Sequence, residues 1–276
     1  MSTKSSQLHI LFFPFLAHGH MIPTMDLVKL FASRGCKTTV VLTPVNLSYF
    51  SKAIERSRGL GLDIEVAPLR FPAAEVGLPE GCENATLLTS PDMLPKFIAA
   101  TTMLVQPLEQ ILMEHRPDCL IASAFFPWAP DVAAKFGIPR LVFHGKIFFS
   151  MSAGKCMMEY EPHKKLSSES ESFVIPNLPH EITLTMDQVP SHLREGSEWY
   201  SFAKKVDESE LTSYGVIVNS FYELEPDYAD HYRRFLGRKA WHIGPICLLN
   251  KDREDKAQRG PKSSIHEHEC LKEPFC

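Results

Sequence analysis

"LHILFFPFLAHGHMIPTMDLVKLFASRGCKTTVVL", Leu8 to Leu42, decides the fold. Its opening run, Leu8–Phe13, is almost continuously apolar, as a strand buried on both faces is. An amphipathic helical pattern follows over Pro23–Ser33, and Gly35 stands where that helix should stop. A second β-rich run, Thr38–Leu42, comes directly after. Strand, helix and strand in this order make a βαβ unit, whose strands lie parallel. Between the first strand and its helix sit Ala17-His18-Gly19-His20, at the strand's carboxyl end.

The same rhythm continues. Further strand candidates are Ile64–Pro68, Cys119–Ser123, Leu141–His144, Gly215–Asn219 and Trp241–Ile243. Helical patterns cover Leu47–Arg58, Asp92–Glu114, Ala129–Phe136, Ile147–Tyr160, Ser197–Ser213 and Glu225–Leu236. The fold class is α/β, a doubly wound parallel sheet with helices on both sides. There is no internal repeat. Glu161–Ser172 is polar and reads as a mobile surface excursion. Residues 250–264 are charged and read as a linker. Only residues 265–276 follow, too few for a domain, which suggests a chain missing its second half.

Composition narrows the function. With 276 residues, 44% of them apolar, the chain can bury a real core. Twenty-nine basic and thirty-three acidic side chains leave a formal charge of −4, which gives no electrostatic reason to expect nucleic acid or an anionic membrane. No run reaches the roughly 18–20 apolar residues of a membrane span. Lys4 and "LHILFFPFLA" have the form of a short leader, but Pro14 interrupts the run, and Asp26 and Lys29 follow in an amphipathic pattern. Seven cysteines, odd in number and without paired spacing, fit a reducing cytosol. In that compartment Asn46-Leu47-Ser48 and Asn84-Ala85-Thr86 are glycosylation sequons in form only.

In a parallel α/β sheet, ligands gather in the loops at the carboxyl ends of the strands. His18 and His20 lie there, and an imidazole at such a place can take a proton from a bound molecule or merely fill the loop. Phe125, Phe126 and Trp128 follow the fourth strand candidate, and Phe148 and Phe149 follow the fifth. Each could wall a pocket for a flat apolar ligand or belong to the core. No G-x-G-x-x-G follows the first strand, and neither G-x-x-x-x-G-K-[ST] nor G-x-S-x-G occurs, which weakens dinucleotide, P-loop and serine-hydrolase readings. "HEHEC", His266–Cys270, has metal-capable side chains but no matching ligands, so no metal site is expected.

"PFLAHGHMIPTMDLVKLFASRG", "FPWAPDVAAKFGIPRLVFHG", "YGVIVNSFYELEPDYADHY" and "AWHIGPICLLN" together resemble the N-terminal half of plant family-one UDP-glycosyltransferases. The likeness runs to about Lys272 and is nearest to the group that glucosylates flavonoids and other phenolics. It implies a GT-B fold, whose Rossmann-like N-terminal domain (residues 1–249) binds the acceptor. Residues 250–264 become the interdomain linker and 265–276 the truncated start of the donor-binding domain. By this resemblance His20, rather than His18, is the general base of an inverting transfer from UDP-glucose. Phe15, Phe125, Phe126 and Phe148 become acceptor contacts, and Gly19 and Lys146 face the donor. UDP-glucose is then a co-substrate; no cofactor or metal is implied, and the location is cytoplasmic.

Three departures from the family pattern stand out. Ser123 occupies the position of the aspartate that orients the base, and a hydroxyl cannot offset the developing imidazolium charge. A rate loss of roughly 10²–10⁴ is expected. Asp118 lies at the wrong end of the strand to replace it, and Asp131 lies inside the next helix. Lys146 stands where a small hydroxyl residue is usual; it could contact a phosphate or crowd the sugar. The donor signature is absent after "EHECLK", so the chain is expected to be inactive alone. The alternative is a non-catalytic module that holds a small aromatic or associates with an intact homologue.

Overall fold

The structure, a computed structural model, describes residues 7–257 apart from 167, 169, 195 and 196. The end of the expected linker, residues 258–264, the segment 265–276 and its "HEHEC" motif lie outside the described residues. The main strands are β1 (His9–Phe13), β2 (Lys37–Leu42), β3 (Ile64–Pro68), β4 (Cys119–Ser123) and β5 (Arg140–Phe143). After a small antiparallel pair, β6 (Ser172–Val174) and β7 (Thr183–Thr185), come β8 (Gly215–Val218) and β9 (Ala240–His242). All but that pair form one sheet of order β3-β2-β1-β4-β5-β8-β9, parallel throughout.

β1 is the middle of the packing. All of its residues are buried, and the period of two divides them between the sheet's faces. Leu11 and Phe13 join a core with Leu120, Phe97, Leu108 and Leu112. Ile10 and Phe12 join another with Val40, Met25, Val28 and Phe50. The first core is roofed by α3 (Met93–Thr102), α4 (Val105–His115) and α5 (Ala129–Lys135), the second by α1 (His18–Ser33) and α2 (Pro44–Gly59). Beyond β5 a third core gathers Val216, Val218, Phe148 and Tyr232. It includes residues of α6 (Phe148–Tyr160) and α8 (Pro226–Asp230), and α7 (Glu198–Leu211) packs beside it.

Every strand expected from sequence for this sheet is present, but the helices differ at informative places. α1 starts at His18, not Pro23. A proline favours the first helical position because its missing N–H has no partner there, yet here Ala17 is the extended N-cap and Pro23 lies inside the helix. The carbonyl Pro23 cannot bond belongs to Gly19, which is exposed, so the loss is small. The single helix expected over Asp92–Glu114 is two, broken between Thr102 and Val105. Pro107 has no N–H to give the carbonyl of Met103 and would crowd it in a continuous helix. The helix expected over Glu225–Leu236 narrows to α8 and passes into a wider π-type turn over His231–Phe235.

The stretch read as a linker begins docked rather than free. Asn250 is buried and its amide donates to Asp26 Oδ1 at 3.0 Å. Asp255, in α9 (Arg253–Ala257), pairs with Lys29 of α1 at 2.6 Å, and Asp252 with Arg56 of α2 at 3.1 Å. Charge and low apolarity signalled a spacer, but here the charges have partners on two helices.

Candidate active site

β1 sits between β2 and β4, so its outgoing connection runs to one side of the sheet and that of β4 to the other. The crevice outside the carboxyl ends of such a strand pair is where open α/β sheets bind ligands. The loop after β1 carries Phe15 and leads to His20; the turn after β4 carries Ser123 and Phe125.

The earlier start of α1 separates the two histidines. Residues two apart on a helix project roughly 200° apart around its axis. His18 is buried, its Nδ1 2.9 Å from Thr86 Oγ1 and its ring 4.7 Å from that of Tyr49. His20 goes the other way, with ring centroids 5.5 Å from Phe15 and 5.0 Å from Phe125. Burial pulls the His20 imidazole down to about 4. It is therefore neutral at ordinary pH, the form that can accept a proton.

The turn after β4 engages Ser123 at two atoms. Its hydroxyl accepts the N–H of Phe125 at 3.4 Å, and its carbonyl accepts from Arg140 at 2.8 Å. Asp118 is occupied elsewhere, accepting the His9 N–H at 2.8 Å at the opposite end of the strand. Asp131 is exposed on α5.

A cavity of about 410 Å³ opens beside Phe15 and Phe125, within the range of about 300–1,000 Å³ that suits small ligands. Leu94 and Ile98 of α3 and Met151 and Met158 of α6 supply apolar wall. Trp199, Phe202, Val206 and Glu210 line it from α7, at the spacing that keeps side chains on one helix face. At one end the lining turns polar, with His144, Lys155, Asp207 and Glu210. Lys146 lines the cavity with an exposed side chain, and Gly19 is exposed on the first turn of α1 with open space around it.

Of the aromatic residues singled out from sequence, Phe15 and Phe125 line the cavity, whereas Phe126 and Phe148 do not. Both are fully buried. Phe126 stacks on Phe13 at 4.1 Å, and Phe148 packs against Tyr232 and His242. Consecutive residues after a strand end cannot all face the same crevice, so Phe125 takes the cavity side and Phe126 the core. Phe148 is held inward because its N–H, at the start of α6, donates to Glu225 Oε1 at 3.0 Å. The sequence reading also missed His144, which follows β5 as the histidines follow β1 and was legible by the same rule. Trp199, Phe202, Asp207 and Glu210 come from α7, far along the chain, and carried no local signal.

Comparison with known proteins places this arrangement. The chain is 54% identical to the scopoletin glucosyltransferase of Nicotiana tabacum over 268 residues, covering 96% of this chain and 56% of that protein. It is 56% identical to the UDP-glucose flavonoid 3-O-glucosyltransferase 7 of Fragaria ananassa over 275 residues, covering 99% and 55%. The chain belongs to the plant UDP-glycosyltransferases. A crystal structure of a Glycyrrhiza uralensis UGT complexed with glycyrrhetinic acid 3-O-monoglucuronide superposes with a TM-score of 0.86 at 35% identity, over 96% of this chain and 54% of that one. The sheet is thus the Rossmann-like N-terminal domain of the family's GT-B fold. No family model matches the chain. This family member spans about half the length of the curated relatives it matches. Among the described residues no helix is long and apolar enough to cross a membrane, and no group of three or more His, Cys, Asp or Glu side chains could hold a metal ion.

Proposed function

We propose that this chain is the acceptor-binding side of a cytosolic transferase that moves glucose from UDP-glucose to a hydroxyl of a flavonoid or other plant phenolic. The observation that carries the reading is the neutral His20 imidazole, not itself in the cavity lining but packed against Phe15 and Phe125, two of the aromatic rings that are. A flat phenolic lies between apolar walls while one hydroxyl reaches His20. The imidazole takes the hydroxyl proton as the oxygen attacks the anomeric carbon of the sugar. The new C–O bond forms as the bond to UDP breaks on the opposite face, so the configuration inverts. The described residues supply the acceptor side of this reaction, and the 276 residues alone are expected to bind a flavonol but not to turn over UDP-glucose.

Calorimetry with quercetin and with UDP tests the binding half: quercetin should bind and UDP should not. A chimera carrying the remaining half of the Fragaria relative tests the chemistry. It should glucosylate quercetin, and His20→Ala should lower kcat by about 10²–10⁴-fold. An active chimera indifferent to His20→Ala would remove the base from this mechanism.

One observation favours a second reading, a binding module that holds a phenolic or pairs with an intact homologue. Ser123, whose hydroxyl accepts the Phe125 N–H, is uncharged and offers the imidazole no counter-charge. Ser123→Asp in the chimera decides between them. A gain in kcat of tenfold or more, about 1.4 kcal/mol of transition-state stabilisation, supports an enzyme weakened at this position. An inactive chimera unrescued by Ser123→Asp supports the module.

A further inference from the structure

The polar end of the cavity is a built feature with no part in the chemistry proposed for His20. Its centre is the pair His144–Glu210: Nε2 of His144 lies 2.6 Å from Oε2 of Glu210. Glu210 is buried and heavily engaged. Tyr232 donates its hydroxyl to it, Arg238 approaches at 3.4 Å and Lys155 at 3.8 Å. Lys155 is also paired with Asp207. The His144 hydrogen bond, the Lys155 charge and the Tyr232 hydroxyl hold the Glu210 carboxylate far below the usual carboxylate range despite its burial.

An ionised Glu210 fixes the state of His144. The carboxylate oxygen can only accept, so Nε2 carries the hydrogen and donates it. Burial lowers the His144 imidazole below its ordinary value, outweighing the pull of Glu210, and the ring is neutral. Nδ1 is then left with a lone pair, since the hydrogen bond to Glu210 uses Nε2. His144 lines the cavity, where such a lone pair can accept from a bound donor. Of the cations nearby, Lys155 is already paired with carboxylates, Arg140 donates to Ser213 and to the Ser123 carbonyl, and Lys146 lines the same cavity with an exposed side chain.

We propose that this end of the cavity is a subsite for a second hydroxyl group of the acceptor, which donates its hydrogen bond to Nδ1 of His144. The inference rests on the acceptor-cavity reading above and sharpens it: the preferred acceptors are phenolics with hydroxyls at both ends of the ring system. A ligand carboxylate is a poor match, since it would meet a lone pair with no proton to offer. An apolar ligand end would leave Nδ1 desolvated and unpaired.

Apigenin and chrysin differ by one hydroxyl, at the end of the molecule remote from the other two, and serve as the probes. Calorimetry on the whole chain should show apigenin binding about tenfold more tightly than chrysin, the worth of one well-made hydrogen bond. His144→Phe keeps an aromatic ring but loses the acceptor, and should bring the ratio close to one. His144→Asn restores an acceptor near the Nδ1 position and should recover most of the preference. Should either variant fail to fold, ¹⁵N NMR of the native chain gives the same decision. The Nδ1 resonance of His144 should move on adding apigenin and stay on adding chrysin. Equal, tight binding of both flavones to the native chain would overturn the subsite and leave the acceptor cavity standing. A preference that survives in His144→Phe, or an Nδ1 resonance indifferent to apigenin, would also overturn it. Binding of neither flavone would bring down the acceptor-cavity reading and the subsite with it.

Discussion

The ring of His20 lies 5.0 Å from that of Phe125, inclined at 60°, so hydrocarbon rather than a carboxylate borders the imidazole. Burial dominates its titration and pulls it down to about 4. The first prediction concerns protonation. In a histidine NMR titration the His20 resonances should stay flat from about pH 8 to about pH 5, where a free imidazole would already have titrated. Ser123→Asp should move the midpoint upward. The stability consequence has a definite sign. The unfolded chain takes up a proton on this side chain near pH 6.5, about its free value, and the folded chain only near about 4. Between those values the unfolded state binds more protons, so stability falls as pH falls. His18 and His144 are lowered in the same direction. Urea midpoints should therefore drop between about pH 7 and about pH 5.

Neighbouring phenylalanines should separate stability from binding. Phe126 is fully buried and stacked on Phe13 at 4.1 Å, so Phe126→Ala should cost about 3–5 kcal/mol in chemical denaturation. Phe125 is only partly buried and lines the cavity. Phe125→Ala should cost about 1–2 kcal/mol of stability and weaken quercetin binding tenfold or more by calorimetry. A reversal of these two outcomes would mean the residues have been assigned to the wrong sides of the turn.

What the sequence made legible follows from range. The strands of the sheet are short apolar runs that must be buried on both faces, and such runs announce themselves locally. Pro23 misled for a local reason too: a strong first-position preference was overridden by the extended Ala17 and a helix that begins at His18. His20 was legible by position at a strand end, yet its divergence from His18 needed the helix start that only the structure supplies. The partnership of His144 with Glu210 joins residues 66 apart. Nothing in either neighbourhood encodes it, because the contact exists only after α7 lies across the end of β5.

The docked segment after β9 should matter to α1. Lys29 and Asp255 are both largely buried and 2.6 Å apart, and Asn250 bridges toward Asp26. Lys29→Ala leaves Asp255 with reduced compensation, and removing one partner of a buried pair costs more than the pair contributes. Because Lys29 keeps some solvent contact, a loss of about 1–3 kcal/mol is expected. Limited proteolysis should then cut within residues 250–257 faster than in the native chain, while the cavity's affinity for quercetin stays unchanged.

Both sequon asparagines are structural. Asn84 and Asn46 are fully buried, and Asn84 Nδ2 donates to Asn46 Oδ1 at 2.6 Å. Asn84 Oδ1 accepts the Thr86 N–H at 3.0 Å and its hydroxyl at 2.7 Å, and Thr86 in turn meets His18 Nδ1. Asn46 Nδ2 donates to Thr43 Oγ1 and to the Glu83 carbonyl. No amide in this network is free to carry a glycan once the chain has folded. Asn84→Ala strands the Asn46 oxygen and the Thr86 N–H together, which should cost about 2–4 kcal/mol at one to two kcal/mol for each orphaned group. Chemical denaturation reads that loss directly. Folded chain treated with an oligosaccharyltransferase in vitro should show no added mass at Asn46 or Asn84, and modification of either without loss of fold would contradict their burial.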